Sequence, residues 1–501
     1  MTVNTLLIRA DANTLIGTGH VMRCLALAQA WQDNGGTVTF LMVPGSPSLE
    51  QRIRTEGMNV LTLTDHPGSK EDAATTVEYA KKIEASWVVV DGYQFDAEYQ
   101  RLLKAHNCNI LFIDDYGHAE HYYADIVLNQ NIYAEMSFYK NHESYTKFLL
   151  GTKYALLRRE FLIWAGYRRI IPPVARRILI TFGGGDPNDL TGAVTKILRN
   201  AAIEDLEVIV VTGGIYSHFE GLQSIVADLH CFSIRKNVSN MPELIAWADV
   251  AITAGGSTCW ELAFMGLPSL LYTSADNQAR VVDALVAQEM AERLTSEDLF
   301  NPYAGLKKIS ELLSSEKTRQ GQSRRMRALV DGEGASRVTM ILKNESVRLR
   351  KVRENDSDLI YRWINEPEVR ARSFRPHLIT PKEHEAWFSS VLADKDLHYF
   401  IAIDEHDHPV GQARLRIEDD HAVISVLIES ASRNKGLGSR VIGIATRILF
   451  ARTPVREVHA FIKTGNESSI RAFTKAGYTY DERTSVENQE AYLMKQRRGD
   501  D

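Results

Sequence analysis

Cysteine is scarce and scattered in this chain. The sequence holds four cysteines, and no two of them form a Cys-x-x-Cys motif. They are Cys24, Cys108, Cys231 and Cys259. A disulfide framework requires clustered cysteines, and a structural zinc site requires paired ligands. The spacing predicts neither, and we expect no bound metal.

Long apolar runs and a strong charge of one sign are also lacking. No apolar stretch reaches the roughly 20 residues that a transmembrane helix needs. The first residues do not show the charged segment and apolar run of a signal peptide. The net charge of −6 predicts no basic surface for nucleic acid. We therefore expect a cytoplasmic protein with neither membrane nor nucleic acid as a partner.

Short apolar runs alternate with amphipathic segments at the start of the chain. A length of 501 residues is too great for one core, so two or three domains are expected. The amphipathic segments, residues 21–34 and 97–106, predict helices. Four runs are typical of buried parallel strands: residues 6–8, 38–43, 87–90 and 110–113. This alternation predicts an α/β doubly wound domain.

The alternation stops at Ile170-Ile171-Pro172-Pro173 and then resumes. The next predicted strands are residues 178–182, 207–211, 250–253 and 269–272, followed by a helical region at 302–342. Beyond it the pattern becomes that of a hairpin sheet, with an exposed strand at 346–352 and further strands at 399–403, 410–416 and 423–428. We predict domains at 1–170, 171–343 and 344–501, and we expect the third to act independently of the first two.

A glycine loop follows the first predicted strand and begins the first helix. It reads Gly17-Thr18-Gly19-His20. The glycines allow a tight turn and a close approach to a ligand. Histidine is the side chain that most often serves as a general base. The loop therefore indicates either a catalytic His20 or a glycine turn with a helix-capping histidine.

Two further glycine-rich turns join strands to helices in the second predicted domain. One is Gly183-Gly184-Gly185, and the other runs from Gly255 to Glu261. The N–H and O–H groups of Gly256, Ser257 and Thr258 suit a diphosphate. Glu261 lies one turn into that helix, where it is either a ligand for ribose hydroxyls or a solvated helix residue.

The first 300 residues resemble the UDP-sugar hydrolases of pseudaminic acid biosynthesis. The resemblance lies in Arg9-x-Asp11, the glycine loop, Asp91-x-Tyr93, Asp114-Asp115, the triple glycine and Asn277-Gln278. Those enzymes have a GT-B-like fold related to the MurG glycosyltransferase. They remove UDP from UDP-2,4-diacetamido-2,4,6-trideoxy-β-L-altropyranose.

The resemblance implies a role for each matching residue. His20 takes the position of the catalytic base, Tyr93 and Asn277 those of sugar-pocket residues, and Glu261 that of the ribose ligand. The remaining substrate-binding positions that it implies are Gly17, Gly19, Arg23, Gly184, Gly256, Ser257 and Thr258.

The last 160 residues resemble the GNAT family of acetyl-CoA-dependent N-acetyltransferases. Two segments carry the resemblance: Arg433-Asn434-Lys435-Gly436-Leu437-Gly438, and the run from Asn466 to Tyr478. It implies an α+β domain with acetyl-CoA as co-substrate. The implied cofactor-binding residues are Arg433, Lys435, Gly436, Leu437, Gly438, Ser439 and Asn466.

The catalytic groups of this second site are less well defined by the sequence. Many GNAT enzymes have a tyrosine where this chain has Phe473, and phenylalanine cannot protonate a thiolate. Tyr478 or Tyr480 is a substitute, although either is equally explained as a sheet aromatic. Glu429 is the candidate base for the amine.

Together the two resemblances predict a bifunctional enzyme. The acetyltransferase would act on UDP-4-amino-4,6-dideoxy-N-acetyl-β-L-altrosamine, and the hydrolase would remove UDP from the product. Two alternatives remain: a glycosyltransferase that passes the sugar to an acceptor, and a GNAT module that senses acetyl-CoA or has another specificity. A fusion also leaves room for contacts with neighbouring enzymes of the pathway.

Overall fold

The protein consists of two compact units. A computed structural model describes residues 4–13, 17–201 and 203–499. Met1–Trp31 and Gly36–Val338 form the first unit, and Gln32–Gly35 and Thr339–Asp501 form the second. Residues 1–3, which the signal-peptide prediction concerns, lie outside the described residues. Within the described ranges, none of the helices combines the length and apolarity needed to cross a bilayer.

The first unit begins with a seven-stranded parallel sheet in the order β3-β2-β1-β4-β5-β6-β7. Its strands are β1 (Thr5–Ala10), β2 (Thr37–Met42), β3 (Asn59–Thr62), β4 (Ala85–Asp91), β5 (Ile110–Ile113), β6 (Ile126–Asn129) and β7 (Lys147–Leu150). Its helices are α1 (Gly19–Asp33), α2 (Pro47–Thr55), α3 (Lys70–Lys82), α4 (Ala97–Ala105) and α5 (Arg159–Leu162). The central strands are buried along almost their whole length, as expected where helices cover both faces of a parallel sheet.

A second parallel sheet of six strands has the order β10-β9-β8-β11-β12-β13. Its strands are β8 (Arg177–Thr181), β9 (Glu207–Thr212), β10 (Phe232–Lys236), β11 (Val250–Ala254), β12 (Ser269–Tyr272) and β13 (Glu292–Leu294). The helices are α6 (Leu190–Arg199), α7 (Phe219–Val226), α8 (Met241–Trp247), α9 (Thr258–Met265), α10 (Asp276–Ala287), α11 (Ser296–Phe300), α12 (Pro302–Ser314), α13 (Glu316–Leu329) and α14 (Gly334–Leu342). Both sheets reverse their strand order beside the first strand, which makes each body Rossmann-like.

The second unit is built on a seven-stranded mixed sheet in the order β14-β15-β16-β17-β18-β20-β19. Its strands are β14 (Val347–Lys351), β15 (Leu397–Asp404), β16 (Pro409–Glu418), β17 (His421–Ile428), β18 (Glu457–Lys463), β19 (Thr479–Val486) and β20 (Gln489–Arg497). Its helices are α15 (Ser357–Ile364), α16 (Pro367–Arg372), α17 (Pro381–Ala393), α18 (Leu437–Arg452) and α19 (Glu467–Lys475). All neighbouring strands are antiparallel except β17 and β18, which are parallel.

The predicted fold class is confirmed. Two Rossmann-like bodies in a GT-B arrangement precede an α+β body, and every predicted strand corresponds to an observed one. The prediction that residues 346–352 form an exposed strand is wrong in part, because Val347 is fully buried against α18 in the core of the second unit. The sequence patterns do not predict strands β3, β6, β7, β10, β13, β18, β19 and β20.

Candidate functional site

A large cleft lies between the two Rossmann-like bodies of the first unit. Its volume is about 1020 Å³. It is lined by loops that follow the carboxyl ends of β1, β8, β11 and β12. Open α/β sheets bind their ligands at this end of the strands, where the strand order reverses. The cleft is therefore the candidate ligand site of the first unit.

His20 lines this cleft and pairs with Asp91, which is buried behind it. Nδ1 of His20 lies 2.6 Å from Oδ1 of Asp91, and His20 is only 8% exposed. Burial alone would raise the pKa of Asp91, but Arg23 and His20 outweigh it and hold that pKa well below the usual range. An ionised carboxylate only accepts, so Nδ1 of His20 carries the proton. In the neutral ring, Nε2 is then the acceptor, which is the form that a general base requires.

Arg23 supports this pair from one turn further along α1. Its Nε and Nη2 each donate to Asp91 at 2.7 Å, and its Nη1 donates to Asp115 at 2.7 Å. Carboxylates thus engage all three guanidinium nitrogens, and the residue is 7% exposed. Arg23 thus orients Asp91 and Asp115, and its predicted contact with the substrate stays a prediction, since Arg23 also lines the cleft.

Tyr93 and Asn277 meet across the cleft from opposite bodies. The Tyr93 hydroxyl donates to Oδ2 of Asp115 at 2.6 Å and accepts from Nδ2 of Asn277 at 2.8 Å. Burial and the charge of Asp115 raise the pKa of Tyr93, so its hydroxyl remains a donor. The Tyr93 ring packs edge-on against His20, with 4.9 Å between ring centroids. The structure therefore brings His20, Tyr93 and Asn277 together from three distant segments.

The N-termini of α1 and α9 face each other in the cleft. A Cβ atom built on Gly19 would lie 3.9 Å from Oγ of Ser257, the residue that precedes α9. Ser257 makes no side-chain capping bond to its helix. Thr258 and Gly256 line the same part of the cleft, as does Gly17 on the other side. Partial positive charge gathers at helix N-termini, so this region suits an anion.

The triple-glycine turn lines the cleft beside the glycine loop, and the predicted contact of Gly184 with the substrate stays a prediction. The N-terminus of α6 is already satisfied, because Asp186 accepts from the amides of Leu190 and Thr191 at 3.0 and 2.8 Å. A Cβ on Gly184 would lie 2.5 Å from Oγ1 of Thr18. Gly184 therefore lets its turn pack against the glycine loop, and the N-terminus of α6 is not open to a phosphate.

Glu261 is held by a buried arginine rather than solvated. Its Oε1 accepts from Nη2 of Arg158 at 2.7 Å, and the Glu261 side chain is 16% exposed within the cleft lining. Burial raises the pKa of Glu261, and Arg158 acts in the opposite direction. Arg158 also lies 2.8 Å from Glu160, which in turn pairs with Arg52 at 2.7 Å. This chain of charges anchors Glu261 to the first body.

In the second unit, strands β17 and β18 separate along their length. Only residues 421–423 of β17 pair with β18, so the β18-facing edge of Ile424–Ile428 has no strand partner among the described residues. The loop before α18 lies beyond that edge, with Gly436 at φ 75° as the N-cap. Lys435 is exposed, Leu437 is buried, and Gly438 and Ser439 form the first turn of the helix. An open strand edge and a helix N-terminus therefore occur together.

Arg433 does not present a free charge to this loop. Its Nη1 and Nη2 pair with Glu368 at 2.6 Å and Glu366 at 2.7 Å, and its Nε donates to the carbonyl of Ile428 at 2.9 Å. Two carboxylates therefore balance its charge, and the predicted contact of Arg433 with the cofactor stays a prediction. Asn466 is similarly occupied as the N-cap of α19, accepting from the amide of Ser469 at 3.3 Å.

Tyr478 is a core residue. It is 2% exposed, its hydroxyl lies 2.7 Å from Oγ1 of Thr446, and its ring packs edge-on against Phe473. Burial raises its pKa well above the usual range. These contacts disfavour the predicted catalytic role, because the hydroxyl is engaged inside the core. Tyr480, the other predicted substitute, is exposed and contacts the ring of Tyr492.

Glu429 follows β17 at the edge of a small cavity of about 260 Å³. Trp363, Arg362 and Glu366 line the same cavity. Oε2 of Glu429 accepts from the Ser432 hydroxyl at 3.3 Å. The predicted base thus lies at the end of the open strand edge and is partly exposed.

Two Rossmann-like bodies that face each other across a cleft are typical of proteins that bind nucleotide sugars. A mixed sheet with an open strand edge is typical of acetyltransferases. Sequence comparison agrees with both. Residues 177–335 match the glycosyltransferase family 28 C-terminal domain, and residues 346–479 match the acetyltransferase (GNAT) domain. The chain therefore combines these two kinds of domain.

Three curated relatives extend this finding. An uncharacterized protein of Methanocaldococcus jannaschii is 23% identical over 484 residues, covering 93% of this chain and 95% of that protein. The UDP-2,4-diacetamido-2,4,6-trideoxy-β-L-altropyranose hydrolase of Campylobacter jejuni is 29% identical over 157 residues, covering 31% of this chain and 52% of that enzyme. The aminoglycoside N(6′)-acetyltransferase type 1 of Klebsiella pneumoniae is 28% identical over 153 residues, covering 27% of this chain and 75% of that enzyme.

Sequence reasoning missed three residues that support the cleft. Asp91 was noted only as part of a motif, Asp115 only as half of an acidic pair, and Arg158 not at all. Asp91 ends β4 and Asp115 lies just beyond β5, so both stand at the carboxyl edge of neighbouring strands. The position of acidic residues at the ends of neighbouring strands could have identified Asp91 and Asp115 from the sequence.

Proposed function

We propose that this chain is a bifunctional enzyme of pseudaminic acid biosynthesis. In this proposal the second unit acetylates the 4-amino group of UDP-4-amino-4,6-dideoxy-N-acetyl-β-L-altrosamine with acetyl-CoA. The first unit then hydrolyses UDP-2,4-diacetamido-2,4,6-trideoxy-β-L-altropyranose to the free sugar and UDP. Acetyl-CoA and UDP-sugars are metabolites of the cytoplasm, where we place the enzyme.

The convergence of His20, Asp91, Tyr93 and Asn277 in one cleft is the observation that carries the hydrolase half. In the proposed reaction, water attacks the anomeric carbon while the bond from that carbon to the diphosphate oxygen breaks. Nε2 of His20 takes the proton from the water. Asp91 keeps the ring in the required tautomer and stabilises the imidazolium that forms. Tyr93 and Asn277 would orient the sugar.

The departing UDP requires stabilisation of charge. The facing N-termini of α1 and α9 supply partial positive charge and amide donors for the diphosphate. Glu261, held by Arg158, has one carboxylate oxygen left to accept from ribose hydroxyls. These groups lie on rigid elements, which supports preorganised binding.

The acetyltransferase half rests on the open edge of β17 and the loop before α18. The backbone of residues 424–428 would pair with the pantetheine arm, and the amides of residues 435–439 would bind the pyrophosphate. The amine nitrogen attacks the thioester carbon, the carbon–sulfur bond breaks, and the thiolate of coenzyme A leaves. Glu429 would accept a proton from the amine, directly or through water.

The two halves fit into one sequence of reactions. The substrate named for the Campylobacter jejuni relative carries two acetamido groups. An N-acetylation must therefore precede removal of UDP, and a GNAT domain supplies that type of reaction. The relative from Klebsiella pneumoniae is named for acetylation of an aminoglycoside, which supports an amine on a sugar as the acceptor.

Mass spectrometry of the full chain with acetyl-CoA and the UDP-aminosugar tests the proposal. We expect coenzyme A, UDP and the free diacetamido sugar. In His20→Asn, UDP release should fall about 10²–10⁴-fold while the acetylated UDP-sugar accumulates. Unchanged UDP release in folded His20→Asn, or an absence of acetyl transfer by the unaltered chain, would contradict the corresponding half. Binding of acetyl-CoA without transfer would identify a sensing module instead.

A second candidate for the first unit is sugar transfer to an acceptor hydroxyl, which the match to a glycosyltransferase domain favours. The His20–Asp91 pair suits deprotonation of either water or an alcohol. Release of free sugar with no acceptor present supports hydrolysis. UDP release that requires an added acceptor would support transfer.

A further inference from the structure

One face of the mixed sheet in the second unit is only partly covered by helices. Ala413 and Leu415 of β16 face the core beneath α18, so the intervening Arg414 faces the opposite side. On that side α15 and α17 cover β15 through a cluster that includes Tyr399 and Phe388. Ser425, which is opposite Arg414 on β17, is exposed. The uncovered part of this face therefore begins at Arg414.

Arg414 differs from the other strand arginines of the unit. Arg348, Arg350, Arg416, Arg483 and Arg497 each pair with a carboxylate. Within residues 339–499, no carboxylate pairs with Arg414. Its guanidinium lies 5.7 Å from the ring centroid of Trp387. Burial removes part of the hydration of this cation, and no ion pair compensates for that loss. The arrangement therefore favours the binding of an anionic ligand.

Burial also acts on the charge of this group. It lowers the pKa of Arg414, whereas the neighbouring Tyr399 acts to raise it. The cation is thus destabilised in the absence of a ligand. Trp387 provides an apolar surface on which a planar guanidinium is held in a fixed orientation.

The position of Arg414 relates it to the acetyl-transfer site. Ser425 lies two residues beyond Val423, the last residue of β17 that pairs with β18. Arg414 is therefore at the base of the opening between these strands, on the face opposite α18. A ligand bound to its guanidinium would approach the open edge of β17 from the face that the helices leave uncovered.

We propose that Arg414 and Trp387 form an anion-binding subsite for the acetyl acceptor, and that this acceptor is an amine bearing a phosphate or diphosphate. A nucleoside-diphosphate aminosugar has this chemistry, whereas a polycationic aminoglycoside or a polyamine does not. The inference rests on the proposed acetyltransferase function and assigns two residues to recognition of the phosphate groups of its acceptor.

Steady-state kinetics of the full chain test the subsite. Acetyl-CoA is held saturating, the UDP-aminosugar is varied, and release of coenzyme A is measured. Arg414→Gln should raise the acceptor KM about 10–100-fold, as loss of a charge-assisted contact implies, with a smaller change in kcat. UDP should inhibit competitively against the acceptor, and Arg414→Gln should weaken this inhibition similarly. The acceptor KM of Arg414→Lys should lie between those of the unaltered chain and of Arg414→Gln.

Arg416→Gln is the matched control, because Arg416 lies two residues along the same strand face but is exposed and paired with Asp394 at 2.8 Å. It should leave the acceptor KM unchanged. The same aminosugar without UDP should be a poor substrate, and its kcat/KM should not respond to Arg414→Gln. Thermal melting should show Arg414→Gln to be as stable as the unaltered chain, because no ion pair is lost.

An unchanged acceptor KM in Arg414→Gln, or an equal loss with the UDP-free aminosugar, would overturn the subsite while leaving acetyl transfer established. A lowered melting temperature with unchanged UDP inhibition would assign Arg414 a structural role and would also overturn it. Failure of the unaltered chain to acetylate the UDP-aminosugar would contradict the proposed function and this inference together.

Discussion

Nδ1 of His20 and Oδ1 of Asp91 lie 2.6 Å apart although 71 residues separate them in the chain. The contact exists because β1, which leads into the glycine loop and α1, pairs directly with β4, which ends at Asp91. Strand order thus places a carboxylate beside the N-terminus of α1. The pair resembles the histidine–carboxylate arrangement of many enzymes that use histidine as a base.

Asp91→Asn should reduce UDP release about 10²–10⁴-fold, with a smaller effect on KM. The amide can stabilise the wrong tautomer of His20 and cannot balance the imidazolium. Because both residues act in one step, the double variant with His20→Asn should be little slower than the more impaired single variant. Rates of UDP release from saturating UDP-sugar measure this effect.

Asp125→Asn is a suitable control for that variant. Asp125 belongs to the same body and pairs with Lys104 at 2.9 Å, but it does not line the cleft. It should retain full activity. Multiplicative losses in the Asp91 and His20 double variant would show that the two residues do not act together.

Glu261→Ala should raise KM for the UDP-sugar about 10–100-fold with little change in kcat, because a contact remote from the breaking bond contributes mainly uniform binding. Calorimetry with UDP alone should show the same loss of affinity. Glu243→Ala, an exposed carboxylate in the first turn of α8, serves as the control. Equal affinity of Glu261→Ala and Glu243→Ala for UDP would exclude a role in ribose binding.

Gly438→Val should abolish acetyl-CoA binding in calorimetry while UDP-sugar hydrolysis persists. A Cβ at this position would lie 3.7 Å from Ala472 and 3.8 Å from Ile428, so the fold admits it, but the added methyl groups would extend toward the proposed pyrophosphate site. Gly443→Ala, further along α18, is the control and should bind normally. Retained binding in Gly438→Val would show that coenzyme A occupies another site.

Tyr478→Phe should leave the kcat of acetyl transfer unchanged and lower stability by about 1 kcal/mol, the usual value of one buried hydrogen bond. Thr446→Val removes the other partner of the same hydrogen bond and should lower stability by a similar amount. Urea unfolding and acetyl transfer rates measure the two effects. A drop in kcat of more than tenfold, with stability maintained, would restore the catalytic role that the sequence predicts for Tyr478.

The sequence predicts some strands with accurate bounds. The runs that form β5 and β12 are mainly apolar, and the observed bounds agree with the predicted ones. Strand β13 is only three residues long and includes Glu292 and Arg293, so it has no apolar signal of its own. This strand forms because it pairs with the edge of β12, and that pairing depends on the tertiary structure.

The candidate sites are predictable where one local motif suffices. The glycine loop places His20 at the start of α1, as the motif indicates. The states of Arg23, Arg433 and Tyr478 are not local, because each depends on partners from other segments. A sequence motif identifies the residue type that a site needs. The hydrogen-bond and ion-pair partners of that residue are known only from the folded structure.

His118 should make the stability of the first unit depend on pH. Its Nδ1 lies 3.0 Å from Oδ1 of Asp114 and its Nε2 lies 3.1 Å from the carbonyl of Phe95, so both nitrogens carry protons. Burial lowers the pKa of His118, but the hydrogen bond and charge of Asp114, with a smaller effect of Asp115, outweigh it and raise that pKa above its usual value.

The sign follows from this raised pKa. The folded state favours the protonated ring, so its contribution to stability is fully present below a pH of about 6.5 and is lost as the pH rises through the raised value. His118→Gln should therefore cost about 1–2 kcal/mol at pH 6 and progressively less above neutral pH. Urea unfolding of both proteins at pH 6, 7.5 and 9 measures the difference. His106→Gln, at an exposed histidine following α4, should show no such trend, and a pH-independent cost of His118→Gln would mean that the ring is not charged in the folded protein.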